Sequence, residues 1–145
     1  ALNLAEAGRS WFVRVKVANL RGELKQYVQA SAEFESLVQD GVKNQCTHLV
    51  LNTLIYSCLI SLAFMDDINS LSKKYKQIEE KYPSFTVTRE SILIGKLIQN
   101  VQEQDFGEAV LLIGDLKFGN FGERWILNGL EALKLVYESK NICYR

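Results

Sequence analysis

The only histidine of the chain, His48, lies close in sequence to two of its three cysteines, Cys46 and Cys58. Cysteine and histidine are zinc ligands, and a cysteine beside a histidine can act as an activated nucleophile. Cys46 and His48 are two positions apart, however, so on a helix their side chains would point about 200° away from each other. His48 and Cys58 would be separated by about 15 Å along the same axis. The spacing favours a histidine on a helix surface, and predicts neither a catalytic site nor a metal site.

Two other short segments have residue types that bind metal ions or phosphates. Asp66 and Asp67 are adjacent carboxylates, but either can cap the helix that follows, which explains them without a metal ion. The segment Gly119-Asn120-Phe121-Gly122 lacks the Gly-Lys-(Ser/Thr) continuation of a phosphate-binding loop and is predicted to be a turn. We therefore expect no cofactor and no enzymatic activity.

Charged residues give the candidate binding sites. One segment has a local excess of basic side chains, which are Lys73, Lys74, Lys76 and Lys81. A solvated helix face is the simplest interpretation. The functional interpretation is a surface that binds acidic residues of a partner protein. At such a surface, charge determines the association rate and the register more than the affinity. Glu123 and Arg124, next to Trp125, are further candidate partner-binding residues.

Composition excludes several function classes. The chain has 145 residues, of which 48% are hydrophobic, so it has the length of one domain and enough apolar residues for a core. Seventeen basic and seventeen acidic residues give no basic excess, which argues against nucleic-acid binding. No apolar run is long enough to cross a membrane, and residues 49–65 are predicted to be a buried helix. Three widely spaced cysteines predict buried thiols in a reducing compartment, by default the cytoplasm.

Hydrophobic periodicity predicts an all-α protein, because apolar residues recur every three or four positions almost throughout. Gly22 and Asp40-Gly41 are predicted to end helices. Pro83 ends another, and Thr88 caps the next. The apolar faces are predicted to include Phe12, Leu24, Val28, Ile92 and Leu135. The predicted helices cover residues 2–20, 24–38, 44–65, 68–82, 91–104, 105–116 and 123–139.

Short connections between these helices predict antiparallel helix pairs. Ala30, Phe34 and Leu37 have the spacing with which the second helix of a tetratricopeptide unit packs on its neighbours, and Ala18 fits the small position of the first helix. The expected architecture is a TPR-like solenoid of helix pairs over residues 1–65. It ends in a small C-terminal helical bundle over residues 66–145, and the two form one continuous domain.

Three segments carry a resemblance to a known family. Residues 26–35 have a Tyr-x-x-Ala-x-x-x-(Tyr/Phe)-Glu pattern. Residues 74–90 contain Lys-Tyr and then Pro-x-Phe-x-x-(Ser/Thr)-Arg-Glu, the most specific of the three. Residues 123–125 are Glu-Arg-Trp. From about Leu24 to Tyr137 the chain resembles the C-terminal half of the soluble NSF attachment proteins, or SNAPs, of the α/β type.

The resemblance implies a protein that acts by binding other proteins. SNAPs are sheets of antiparallel helix pairs capped by a helical bundle, and they have no catalytic residues. They bind SNARE complexes and recruit the hexameric ATPase N-ethylmaleimide-sensitive factor, NSF, in membrane fusion and vesicle transport. The implied location is the cytoplasm, peripheral to membranes. Structural roles are expected for Ala30, Phe34, Pro83, Phe85, Arg89, Glu90 and Trp125.

The chain also departs from the family pattern. It begins at Ala1 without a methionine, which suggests a portion of a longer protein, and it has no N-terminal hydrophobic loop. It ends at Arg145 without the acidic stretch and next-to-last leucine of SNAPs. That ending favours a divergent SNAP-like subunit such as the forty-kilodalton huntingtin-associated protein, bound to a large helical-repeat scaffold such as huntingtin. Residues 1–14 are similar to that protein at least as well as to a SNAP, whereas the Pro-x-Phe-x-x-Thr-Arg-Glu segment favours SNAP. An adaptor should expose charge, whereas an obligate subunit should expose large apolar patches.

Overall fold

A computed structural model describes residues 4–43, 47–65, 67–117 and 123–143. These residues form seven α-helices with no β-strand among them, so the all-α prediction is confirmed. A π-helical turn, Ser61–Met65, extends α3, and a 3₁₀ helix, Pro83–Val87, precedes α5. The α-helices are α1 Leu4–Glu23, α2 Tyr27–Lys43, α3 Thr47–Ile60, α4 Ile68–Lys81, α5 Arg89–Gln102, α6 Phe106–Lys117 and α7 Arg124–Cys143.

Side-chain caps define where three helices begin. Asp67 Oδ1 accepts a hydrogen bond from the Ser70 N–H at 2.7 Å at the start of α4. Thr88 Oγ1 accepts one from the Ser91 N–H at 3.2 Å, and Asp105 Oδ1 accepts one from the Glu108 N–H at 3.3 Å. Each cap satisfies an amide that has no partner within its helix. The predicted starts at Asp67, Thr88 and Asp105 are confirmed.

Two helix connections share one backbone geometry. After α1, Lys25 adopts a left-handed conformation with φ of 63°, and after α5 Gln104 does so with φ of 62°. In each case the N–H of the next residue donates back across the turn at 2.8 Å, from Gln26 to the Arg21 carbonyl and from Asp105 to that of Asn100. This pattern closes a helix end and reverses the chain over a few residues, so that α1 and α5 are each followed directly by an antiparallel partner.

Contacts divide the chain into two units, residues 1–57 and 58–145, and the division falls within α3. The domain boundary predicted after residue 65 stays a prediction. In the first unit, α1 packs along α2, and the ring of Phe34 in α2 stacks on that of Tyr56 in α3 at 5.4 Å. Ala18, Ala30 and Leu37 are fully buried.

The predicted helix break at Gly22 is confirmed to within one residue, since α1 ends at Glu23. The predicted end at Asp40-Gly41 is wrong, because α2 continues through Gly41 to Lys43. A Cβ on Gly41 would lie 2.8 Å from the Trp11 ring and 2.6 Å from Val50 Cγ2. The glycine therefore permits close packing of Trp11 and Val50 against α2, and its role here is packing rather than turning.

In the second unit each helix packs on the next one along the chain: α4 on α5, α5 on α6 and α6 on α7. The last helix, α7, also contacts the π-helical turn at the start of this unit, so the first and last elements of the unit pack against each other. There the Phe64 ring stacks on the indole of Trp125 at 5.5 Å. A Cβ on Gly129 would lie 2.7 and 2.8 Å from two carbons of the Phe64 ring. Gly129 is thus required for this contact.

Several apolar faces differ from the predicted ones. Phe12 is 61% exposed, and Leu24 and Val28 are 70% and 67% exposed. Ile92 and Leu135 are exposed as well, whereas Ile94 and Ile98 of α5 are buried. No helix among the described residues is both long enough and apolar enough to span a membrane.

Candidate partner-binding surface

Three of the four lysines of the basic cluster are exposed on α4. Lys73, Lys76 and Lys81 are open to solvent, while Leu71 and Ile78 are buried on the other side of the helix. Lys73 and Lys76 are one turn apart, so their ammonium groups can contact one acidic partner surface. The Lys81 ammonium lies 5.6 Å from the centre of the Tyr82 ring. We call Lys73, Lys76 and Lys81 the α4 basic face.

Lys74 does not belong to this face. Its Nζ donates a hydrogen bond to Ser61 Oγ at 2.8 Å, and the side chain is partly buried. It also lies close enough to Cys58 to favour the thiolate electrostatically. The structure therefore places Lys74 between α4 and the π-helical turn.

A polar and aromatic contact fixes α4 against α5. The Tyr75 hydroxyl donates to the Ser91 carbonyl at 3.0 Å and lies 3.2 Å from Ser91 Oγ. The Tyr75 ring meets that of Phe85 edge-on at 6.1 Å, and Phe85 is fully buried. A tyrosine hydroxyl is protonated at neutral pH, and burial raises the pKa of Tyr75 further, which favours the donor form in this contact. Because α4 is held in this way, the backbone positions that carry its lysines are defined.

Arg89 connects α5 to α6. Its Nη2 donates to the carbonyl of Asp115 at 2.7 Å, and Nη1 lies 3.7 Å from Oε1 of Glu90. The Asp115 carbonyl is in the last turn of α6, where backbone carbonyls lack helical partners. The Arg–Glu pair of the Pro-x-Phe-x-x-Thr-Arg-Glu segment thus lies at a helix–helix junction.

The second charged candidate lies at the start of α7. Glu123 and Arg124 are exposed. Trp125 is buried against Phe64, which fixes the adjacent backbone. The Glu123 carbonyl accepts hydrogen bonds from the N–H groups of Ile126 and Leu127 at 3.0 and 3.1 Å. The two charged side chains lie on a different helix from the α4 basic face.

A charged cluster in the first unit is not among the sites predicted from the sequence. Arg14 of α1 contacts three side chains of α2: Nε donates to Glu33 at 3.1 Å, Nη2 donates to Ser36 Oγ at 2.8 Å, and Nη1 donates to Asp40. The pKa of Arg14 is raised; burial opposes the shift, while hydrogen bonds to Asp40 and Glu33 produce it. Residues 33, 36 and 40 share one side of a helix, and this spacing could have indicated a basic partner.

The cysteine and histidine chemistry considered from the sequence finds little support. Cys58 is buried, and burial raises the pKa of its thiol to about 12, which leaves almost no nucleophilic thiolate at neutral pH. Cys46, Asp66, residues 119–122 and the side chain of His48 lie outside the described residues. Among the residues that the structure does describe, no three metal-ligating side chains form a group.

Successive antiparallel helix pairs are the architecture of helical-repeat proteins. The family model "Soluble NSF attachment protein, SNAP" matches residues 6–110, and the chain belongs to this family. The match includes two of the resembling segments, residues 26–35 and 74–90, and ends before residues 123–125. Searches of curated proteins and of solved structures returned no match.

Proposed function

We propose that this protein is a non-enzymatic adaptor that links SNARE complexes to the NSF ATPase in membrane fusion and vesicle transport. The observation that carries this proposal is the match of residues 6–110 to the SNAP family. SNARE complexes and an NSF-type ATPase would be its protein partners.

The α4 basic face supplies a candidate contact. Lys73, Lys76 and Lys81 are exposed and are presented by a helix that Tyr75 and Phe85 anchor. Charges at fixed positions steer an acidic partner and set its register. Glu123 and Arg124 are the corresponding candidates at the start of α7. Lys74 remains a candidate only if binding breaks its hydrogen bond to Ser61.

The test is binding to an assembled SNARE complex at low and at high salt. We expect the triple variant Lys73→Glu/Lys76→Glu/Lys81→Glu to bind about tenfold more weakly than wild type at low salt, because it removes the steering charges. The difference should shrink as salt screens them. Addition of NSF should then give a ternary complex with the wild-type chain.

A matched control has the same change in net charge at other exposed lysines, Lys25→Glu/Lys43→Glu/Lys96→Glu. Equal loss of binding in both triple variants would show that total charge, and not the α4 basic face, matters. A wild-type chain that binds neither SNARE complexes nor NSF would overturn the adaptor proposal.

One observation favours the alternative, a SNAP-like subunit bound constitutively to a large helical-repeat scaffold. Four exposed apolar residues lie along α1 from its middle onward, namely Phe12, Val13, Val17 and Leu20, and exposed Leu24 directly follows the helix. A helix that remains solvated does not usually expose such a row of apolar side chains. Pull-down from cytosol would distinguish the proposals: the alternative predicts one very large partner at unit stoichiometry and no SNARE proteins.

A further inference from the structure

A cavity of about 320 Å³ lies among α4, α5, α7 and the π-helical turn, within the second unit. Leu62, Leu71 and Tyr137 are buried, whereas Val136 is 48% exposed. The cavity is therefore a recess that opens to the surface. Most of its lining is apolar and includes Leu71, Val101 and Leu133, and two lining residues, Asp67 and Lys140, are charged.

The two charged lining residues are not equivalent. The Asp67 carboxylate already accepts the Ser70 N–H at the start of α4, where the helix dipole also favours a negative charge. The Lys140 ammonium lies 5.4 Å from the centre of the Phe106 ring and 6.0 Å from that of Tyr137. No carboxylate among the described residues forms an ion pair with Lys140. Lys140 is exposed at the rim of the cavity, so its charge is solvated and accessible to an anionic group. Asp67 instead keeps its own negative charge at the start of α4, where the Ser70 N–H lowers its pKa.

The size of the cavity limits the apolar part of a ligand. One water molecule occupies about 30 Å³ in the liquid, so 320 Å³ has room for about ten groups of that size. Enclosed apolar cavities of about 150 Å³ are known to bind apolar ligands; this recess is larger and is open on one side. A chain of eight to ten carbons, roughly, would fill the volume, whereas longer chains would extend into solvent.

We propose that this cavity binds a medium-chain monocarboxylate, with the alkyl chain against Leu71, Val101 and Leu133 and the carboxylate beside Lys140. Such a site is independent of the SNARE and NSF contacts proposed above, since neither the α4 basic face nor Glu123 and Arg124 line it. An ordinary tyrosine is uncharged at neutral pH, and burial raises the pKa of Tyr137 further, so its hydroxyl does not repel the carboxylate.

The test is calorimetric titration of the 145-residue chain with decanoate, and separately with decyltrimethylammonium, both below their micelle concentrations. The two probes have alkyl chains of equal length and opposite charge. We expect decanoate to bind at one site, with a higher affinity than decyltrimethylammonium. Lys140→Glu should weaken decanoate binding about tenfold, as expected for losing a charge-assisted hydrogen bond, and should reverse the preference between the probes.

Two kinds of variant control the experiment. Lys96→Glu makes the same charge change on α5 outside the cavity lining and should bind decanoate as wild type does. Val101→Phe, with Leu133→Phe as the second choice if the first unfolds, should abolish binding of both probes by filling the cavity. No decanoate binding, equal binding of both probes, equal effects of Lys140→Glu and Lys96→Glu, or undiminished binding by a folded cavity-filling variant would overturn the proposal.

Discussion

Two helical glycines have opposite surroundings. A Cβ on Gly129 would collide with the Phe64 ring, which stacks on Trp125, whereas a Cβ on Gly114 meets nothing within 4 Å. We expect Gly129→Ala to destabilise the chain by about 1–3 kcal/mol through overpacking. Gly114→Ala should stabilise it by about 0.5–1 kcal/mol, because alanine favours the helix. Urea unfolding followed by circular dichroism measures both, and effects of the same sign would contradict the packing around Gly129.

Cys58 gives a prediction about thiol reactivity and pH. Burial raises its pKa from the ordinary 9.0 to about 12, although nearby Lys74 acts in the opposite direction. In a Cys46→Ser/Cys143→Ser variant, iodoacetamide should modify native Cys58 on the order of a hundredfold more slowly than the urea-unfolded chain. Mass spectrometry of timed samples measures this, and rapid labelling of the folded chain would show that Cys58 is accessible.

The same shift makes stability depend on pH. The folded state holds the thiol proton more tightly than the unfolded state does. This contribution to the unfolding free energy is therefore complete below pH 9 and is lost as pH rises from 9 towards 12. A Cys58→Ala variant should lack this component of the alkaline loss.

At the level of single helices, Thr88 and Thr86 allow a matched test of capping. Thr88 Oγ1 accepts the Ser91 N–H at the start of α5, whereas Thr86 Oγ1 only donates to the Pro83 carbonyl within the 3₁₀ helix. We expect Thr88→Ala to destabilise the chain by about 1 kcal/mol. Thr86→Ala should have a clearly smaller effect. Thermal unfolding of both variants checks this, and equal losses would mean that the Thr88 cap contributes little.

Helix starts were more predictable from the sequence than helix ends and faces. Asp67, Thr88 and Asp105 act through bonds to nearby amides, so a local pattern is sufficient to identify them. Gly41 was predicted to end α2, but the approach of Trp11 and Val50 from other helices determines its role. Ile92 is exposed and Ile94 buried because the positions of neighbouring helices decide which apolar side chains are covered.

The tertiary contacts of charged residues could not be predicted from local sequence patterns either. The α4 lysines could be recognised from the sequence. The hydrogen bond from Lys74 to Ser61, however, forms only because the π-helical turn packs beside α4. Arg14 was not singled out, although Glu33, Ser36 and Asp40 have helical spacing, since the contacts depend on the register of α1 against α2. A register between helices is a tertiary property that one sequence does not specify locally.

For the whole molecule, the fold class and the family could be predicted because both rest on features that extend along the chain. Apolar periodicity covers nearly every segment, and the Pro-x-Phe-x-x-Thr-Arg-Glu segment lies inside the matched residues 6–110. The cavity beside Lys140 could not be predicted in this way. Its lining comes from three helices and the π-helical turn, whose mutual placement creates the space.

The contact between Phe64 and Trp125 has a kinetic consequence. Most contacts of the second unit join helices that follow one another, and they can form soon after the helices do. The stack of Phe64 on Trp125 instead joins the first element of that unit to its last helix. The chain must lose conformational entropy before two residues so far apart in sequence can form a contact that stabilises the fold. We therefore expect the indole to be buried late in folding. In a Trp11→Phe variant, the fluorescence of Trp125 should report the formation of this contact separately from helix formation.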